Sequence, residues 1–297
     1  MDNLSDLWEK NLKPHIRRIW DVAARLGEGP VYDRRDDTLL FVDIKGRRLY
    51  RLHLGSDDLE HWETPDLMCW VVPRSSPQGY IAGMGLSIGT LSLDPFRFEP
   101  FHEVGAARPT YRLNDAKADA DGWLWFGTMD NAEKDHNGCL YSVSPDRKVT
   151  VADIGYAVTN GPSFSPDGAF LYHTDTARRV VFRFKRTSGG LLTDKRALIR
   201  FPESWGYPDG MTTDAEGAIW IAHWAGGRIS RFFPEGELHS TFEMPVAGIT
   251  SCCFAGKNLD RMFVTSAVGE GAGQPNAGAL FEVECGALGA TPHPFGG

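Results

Sequence analysis

From Leu26 onward, short apolar runs alternate with polar positions at a period of two and are broken by Gly, Pro and Asp, the pattern of strands joined by tight turns. Turn-plus-strand signatures stand at Asp36-Asp37-Thr38-Leu39-Leu40-Phe41-Val42, Pro77-Gln78-Gly79-Tyr80-Ile81-Ala82 and Asp121-Gly122-Trp123-Leu124-Trp125-Phe126. They recur at Asp167-Gly168-Ala169-Phe170-Leu171-Tyr172, Glu216-Gly217-Ala218-Ile219-Trp220-Ile221 and Leu259-Asp260-Arg261-Met262-Phe263-Val264. With Asp37, Gly79, Gly122, Gly168, Gly217 and Asp260 as markers, the spacings are 42, 43, 46, 49 and 43 residues. A second alternating run follows each signature, such as Arg48-Leu49-Tyr50-Arg51-Leu52 and Ala279-Leu280-Phe281-Glu282-Val283. Each unit thus predicts an inner strand, a hairpin and a third strand, with a weaker fourth between units. No stretch keeps a helical period. Six all-strand units of this length predict an all-β, six-bladed β-propeller, because a large sandwich would not explain the even period. Residues 26–297 read as one propeller domain. Residues 1–25 read as an N-terminal arm and the start of propeller closure, and the first 20 fit a short helix or an arm equally.

A polar residue recurs eight positions before the hairpin glycine: Asn114 before Gly122, Asn160 before Gly168 and Asp209 before Gly217. In the first unit Glu28 lies nine before Asp37, and in the second and sixth the region is Cys69-Trp70-Val71-Val72 and Ile249-Thr250-Ser251-Cys252. Inner strands line a propeller's channel, so matched positions converge at its mouth. Two carboxylates and two amides facing one channel repel unless a cation, a proton or an Arg compensates them. Glu28, Asn160 and Asp209 form an all-oxygen donor set that favours Ca²⁺, Mg²⁺ or Mn²⁺, while Zn²⁺ and Fe²⁺ also take such donors. Any one of these residues is explained as a turn former. The set at matched offsets is not, because turn chemistry does not demand a common register.

Composition narrows the class. A net charge of −8 with pI near 5.6 and no Lys/Arg cluster gives no support for nucleic-acid or anionic-membrane binding. The five cysteines Cys69, Cys139, Cys252, Cys253 and Cys285 are odd in number and lack a C-x-x-C pair, which fits a reducing compartment better than a disulfide framework or zinc site. Residues 1–13 lack the apolar core of a secretory signal, and no run reaches the roughly 18 apolar residues of a membrane span. A cytoplasmic soluble protein is expected.

Five ordered motifs then carry a resemblance: Leu26-Gly27-Glu28-Gly29-Pro30, Arg112-Leu113-Asn114-Asp115, Phe126-Gly127-Thr128-Met129, Thr159-Asn160-Gly161-Pro162 and Pro208-Asp209-Gly210. Together they resemble the SMP-30/gluconolactonase/regucalcin family from about Leu26 to Phe281. The resemblance implies a six-bladed propeller with one divalent metal that hydrolyses sugar lactones to aldonic acids. It puts metal-ligand roles on Glu28, Asn160 and Asp209 and substrate contacts on Arg112 and Asn114. Where family members often carry a Glu three residues after the Met of Gly-Thr-Met, this chain has Ala132, with Asp130 and Glu133 nearby, and Asp130 is taken as a substrate residue. The expected substrate is a pentonolactone or hexonolactone of a sugar-oxidation pathway. A metal polarises the lactone carbonyl, and Asp209 takes a proton from the attacking water. Arg112 and Asn114 orient the polyol.

Other readings compete. Gly85-Leu86-Ser87-Ile88-Gly89 matches G-x-S-x-G, which functions only on a strand-to-helix elbow. Cys252-Cys253 fits strand packing, His173 and His223 fit scaffold positions, and Trp70, Trp205 and Trp224 are candidate walls of a sugar pocket. A non-enzymatic metal- or ligand-binding regulatory propeller, and a phosphotriesterase-like hydrolase on the same site, would share the geometry.

Overall fold

The computed structural model describes residues 15–75, 79–105, 110–187, 189–269 and 272–297. Residues 1–14 and the turn residues Pro77 and Gln78 lie outside these. Six four-stranded antiparallel sheets follow one another along the chain. Their inner strands are Gly27–Asp33, Met68–Pro73, Tyr111–Ala118, Thr159–Phe164, Tyr207–Thr213 and Ile249–Ala255. The chain is therefore a six-bladed β-propeller with a regular fourth strand in every blade. A 3₁₀ turn at Glu203–Trp205 is the helical element the described residues contain, and no helix among them is long and apolar enough to cross a membrane.

The choice between helix and arm for the leading residues resolves at Ile16–Trp20, a strand. It is the outer strand of the sixth sheet, pairing Ile16 with Val283 and Arg18 with Phe281. Arg17 Nη2 donates to Glu282 Oε2 at 2.8 Å across that pair. Segments 260 or more residues apart in sequence thus share one blade, and Ile16–Trp20 covers the outward edge of Leu280–Val283.

The blades pack through buried apolar side chains of their inner and second strands. Leu40, Trp70, Ile81 and Phe126 belong to one such layer, and Phe41, Trp220, Phe254 and Phe263 to another. Trp70 is fully buried against Phe126 and lies over Gly83, where even a Cβ would collide with its ring. It is core and not a pocket wall.

The hairpin turns of blades three and five, Asp121-Gly122 and Glu216-Gly217, share one device. Asp119 Oδ1 accepts the backbone N–H groups of Asp121 and Trp123, and its Oδ2 takes Trp125 Nε1 at 2.8 Å and Arg186 Nη1 at 2.7 Å. Asp214 does the same with Glu216 N, Ala218 N, Trp220 Nε1 at 2.9 Å and Arg231 Nε at 2.8 Å. One buried carboxylate fixes the hairpin, the indole of its second strand and an arginine, which comes from the third strand of the next blade for Asp119 (Arg186) and of the same blade for Asp214 (Arg231).

Every inner strand carries a β-bulge. In blade one, Glu28 pairs with Val42 and Val31 with Leu40, so three steps on the inner strand oppose two on its neighbour. The same count holds from Leu113 to Ala116, from Asn160 to Ser163 and from Pro208 to Met211. Blades two and six bulge at Met68–Trp70 and Ile249–Ser251. A bulge bends its strand and re-aims side chains. Gly29 and Gly161 sit in two of them with φ of 53° and 74°, a backbone that a side chain strains.

Equal sequence spacing does not mean equal register. Asn160 is paired with Thr174 just ahead of its bulge, whereas Asn114 and Asp209 lie inside theirs. The hairpin absorbs the difference. Six residues connect Phe164 to Leu171, against five between Ala118 and Leu124 and between Thr213 and Ile219.

The segment 288–297 crosses the hairpin face of the ring. Ala215 N donates to Leu288 O at 2.8 Å, Ala290 N to Thr213 O at 3.1 Å, Phe295 N to Pro73 O at 2.8 Å and Gly296 N to Gly122 O at 2.9 Å. It covers one end of the axis and helps enclose a chamber of about 440 Å³ whose lining includes Asp115, Lys117, Ser163, Ser251 and His293.

Candidate functional site

At the bulges, side chains from blades one, three, four and five meet near the axis. Glu28, Arg112, Asn114, Asp115, Asn160 and Asp209 are all buried. The three carboxylates sense one another. Burial first, and then Asp115, pushes the Glu28 carboxyl up to about 8, against the Gly29 N–H and the Arg112 charge. Burial also lifts Asp209 well above the usual carboxylate range, with Glu28 and Asp115 adding to it. Burial raises Asp115 to about 6, opposed by the Lys117 ammonium and by the backbone N–H groups of Ala116 and Gly161. Such uncompensated charge is what a cation or protons must balance.

A hydrogen-bonded chain crosses three blades beside these acids. Arg112 Nε donates to Asn131 Oδ1 at 3.1 Å, and its Nη1 donates to Leu113 O at 3.0 Å and to Asn114 Oδ1. Asn114 Nδ2 donates to Asn160 Oδ1 at 3.0 Å and to Thr159 O. Asn160 Nδ2 in turn donates to Thr176 Oγ1 at 2.9 Å, and the Thr176 hydroxyl donates to Pro208 O at 2.8 Å, directly before Asp209. The chain fixes which amide edge of Asn160 is oxygen and leaves that oxygen a further lone pair.

These donors fit a hard divalent cation in kind: two carboxylates and one amide oxygen, with no thiolate or imidazole among them. Among the described residues no three His, Cys, Asp or Glu side chains gather in metal-ligating geometry, so the carboxylates alone do not make up a three-residue metal set.

Asp130 is tied into the turn that follows its strand. Its carboxylate accepts the backbone N–H groups of Ala132 at 3.3 Å, Lys134 at 3.1 Å and Asp135 at 3.3 Å. Burial works against its ionisation, yet these amides and Thr110 hold the group below its ordinary value. The side chain shapes the turn after its strand, a turn that also carries Asn131, the partner of Arg112.

Asp115, Lys117, Thr176 and Asn131 join the site without having been singled out in the sequence. Asp115 adjoins Asn114, and strict alternation turns such neighbours to opposite faces. The bulge removes that rule, so two adjacent side chains serve the same end of the axis.

The competing motifs lose their chemistry in this fold. Ser87 opens a strand directly after a hairpin and meets no helix, so it is not a nucleophile elbow. Cys252 and Cys253 are buried, and burial pushes both thiols up, Cys252 to about 12. His173 is buried edge-on to Tyr156 and burial lowers it to about 3; His223 donates or accepts through Nδ1 at Trp205 O, 2.9 Å away, and burial lowers it to about 4. Trp205 packs on Phe201 and His223, while the Trp224 ring lies over Gly248 and Gly269 at the border of blades five and six.

A six-bladed ring with this polar cluster on its inner bulges places the chain in a defined class. It belongs to the SMP-30/gluconolactonase/LRE-like family, whose model matches residues 26–268. The chain is similar to regucalcin of Danio rerio, 33% identical over 283 residues, covering 92% of this chain and 95% of that protein. It is similar to the pentonolactonase XacC of Haloferax volcanii, 32% identical over 286 residues, 92% of this chain and 96% of the other. Among solved structures it resembles a calcium-binding regucalcin of Agrobacterium tumefaciens, with a TM-score of 0.88 and 26% identity over 95% of this chain and 97% of that one.

Proposed function

We propose that this chain hydrolyses a sugar lactone, a pentono- or hexono-lactone, to its aldonic acid with the help of one divalent cation. The observation that carries the reading is the convergence of the buried Glu28, Asp115 and Asp209 carboxylates with the Arg112–Asn114–Asn160 chain at the inner bulges. The family includes gluconolactonases and a pentonolactonase, which supports the reaction class. Glu28, Asn160 and Asp209 would hold the cation, which when bound supplies Lewis-acid polarisation of the ester carbonyl.

The chain's own residues do the rest. Asn131 and Asn114 hold the Arg112 guanidinium in one plane, so its fork offers fixed donors to the lactone's hydroxyls. Asp209 accepts a proton from water as the water oxygen bonds to the carbonyl carbon. The ring C–O ester bond then breaks, and the leaving alkoxide oxygen takes that proton back. Burial of the three acids keeps bulk water from competing with the positioned one.

The test is acid release from a panel of aldonolactones by chelator-stripped protein, before and after single additions of Ca²⁺, Mn²⁺, Mg²⁺, Zn²⁺ or Fe²⁺, with spontaneous hydrolysis subtracted. Metal-dependent acceleration on one lactone is expected. Tight metal binding with no acceleration on any lactone would turn the reading to a metal-binding regulatory propeller.

A further inference from the structure

The inner strand of blade three does more than contribute Asn114. Its next residues, Asp115 and Lys117, stand two apart on the strand and both line the axial chamber. Asp115 Oδ2 accepts the N–H of Gly161 at 3.1 Å, and Gly161 directly follows Asn160 in the bulge of blade four. Lys117 Nζ donates to the carbonyl of Met211 at 2.8 Å, and Met211 is where pairing resumes after the bulge that holds Asp209. A bulge disrupts its ladder locally, so its backbone groups need partners from elsewhere. Here one strand supplies a partner to the bulge of the adjoining blade and to that of the blade beyond it.

Lys117 forms no ion pair among the described residues. Its ammonium donates to a backbone carbonyl 94 residues away in sequence, and its charge also reaches the Asp115 carboxylate. We infer that Asp115 and Lys117 are positioning residues, a brace between blades that fixes the bulges presenting Asn160 and Asp209 and thereby sets the affinity of the cation site. The inference rests on the reading that Asn160 and Asp209 are metal ligands.

Electrostatics and bracing predict opposite signs for one substitution. A positive charge near a cation site repels the cation, so deleting it should tighten binding if charge alone matters. Deleting a brace should weaken binding, in line with the roughly 10–100-fold losses seen when groups that orient metal ligands are removed. The experiment is calorimetric titration of Mn²⁺ into the chelator-stripped full chain, wild type against Lys117→Met, with deuterium uptake of residues 207–213 measured alongside. A Kd weakened by about tenfold or more with raised uptake over 207–213 is expected. An unchanged or tightened Kd overturns the brace. Asp214→Ala, which loosens blade five at its far hairpin, serves as the control for general destabilisation and should leave the Kd unmoved. If Lys117→Met does not fold, Lys117→Gln replaces it, with the same two outcomes. Affinity is read without lactone, so a chain that binds Mn²⁺ and hydrolyses nothing refutes the lactonase reading and leaves the brace intact. Wild-type protein that binds neither Mn²⁺ nor Ca²⁺ overturns both.

Discussion

Asn114 Nδ2 and Asn160 Oδ1 stand 3.0 Å apart, joining a residue inside the bulge of blade three to one just ahead of the bulge in blade four. The contact orients the Asn160 amide from one side, and Thr176 holds it from the other. Asn114→Leu keeps the approximate size and removes the donor. It also takes away the acceptor of Arg112 Nη1. Metal affinity should fall by roughly tenfold or more, read by titrating Mn²⁺ into stripped protein, and an unchanged Kd would show that Asn160 needs no such support.

The raised carboxyls give the metal-free protein an unusual pH response. Glu28 rises from an ordinary 4.5 to about 8 and Asp115 from 3.8 to about 6. Between those limits the folded state holds protons that the unfolded state has released. Stability therefore falls as pH rises through the window, because the unfolded state binds fewer protons. The melting temperature of stripped protein should decline from pH 5 to pH 8, and saturating divalent metal, which binds the ionised carboxylates, should abolish the decline. Thermal melts at four or five pH values with and without metal decide this; a flat metal-free profile contradicts the shared burial of these acids.

The propeller was legible in the sequence because its signals are local and repeated. A hairpin such as Asp121-Gly122 and a run such as Leu124-Trp125-Phe126 each predict their own strand, and six copies leave little choice of architecture. Glu28, Asn160 and Asp209 were legible as polar positions on inner strands from their spacing before the hairpins, although Asn160 sits ahead of its bulge and Asp209 inside its own. Asp115 and Lys117 were not, because the bulge that turns Asp115 toward the axis and the 94-residue reach from Lys117 to Met211 depend on the closed ring. The N-terminal segment was legible only as an arm and the start of propeller closure, for the same reason. Ile16-Arg17-Arg18-Ile19-Trp20 has no partner until Leu280–Val283 arrives at the other end of the chain.

Arg112→Lys tests the fork. Lysine keeps the charge and loses the planar set of donors that now reaches Asn131, Leu113 and Asn114 together. The lactone KM should rise by roughly tenfold while kcat changes less, the pattern of lost orientation in substrate binding. Steady-state kinetics on the accepted lactone measures it. A KM within twofold of wild type would remove Arg112 from substrate recognition.

Asp214 offers a stability test remote from the inner bulges. Its carboxylate is almost fully buried and holds Glu216 N, Ala218 N, the Trp220 indole and Arg231 together. Asp214→Ala strands the indole N–H and leaves Arg231 only the exposed Glu216. Breaking a buried pair in this way costs roughly 3 kcal/mol, so the melting temperature should drop by several degrees. Lactone turnover at 25 °C should be retained; turnover lost in step with stability would mean that the hairpin end and the site are mechanically one unit.

Asp209 is asked to serve both as metal ligand and as proton acceptor, and Asp209→Asn separates the two. Asparagine retains a ligating oxygen but cannot take a proton from water at neutral pH. If the carboxylate is the base, kcat should fall by roughly 10²–10⁴-fold while Mn²⁺ still binds, though more weakly for the lost charge. The fall should persist at saturating metal, which distinguishes lost base from lost ligand. If the variant retains more than about a tenth of wild-type turnover, the proton goes elsewhere. Glu28 and Asp115 are the carboxylates whose charge Asp209 feels directly, which makes them the groups to substitute next.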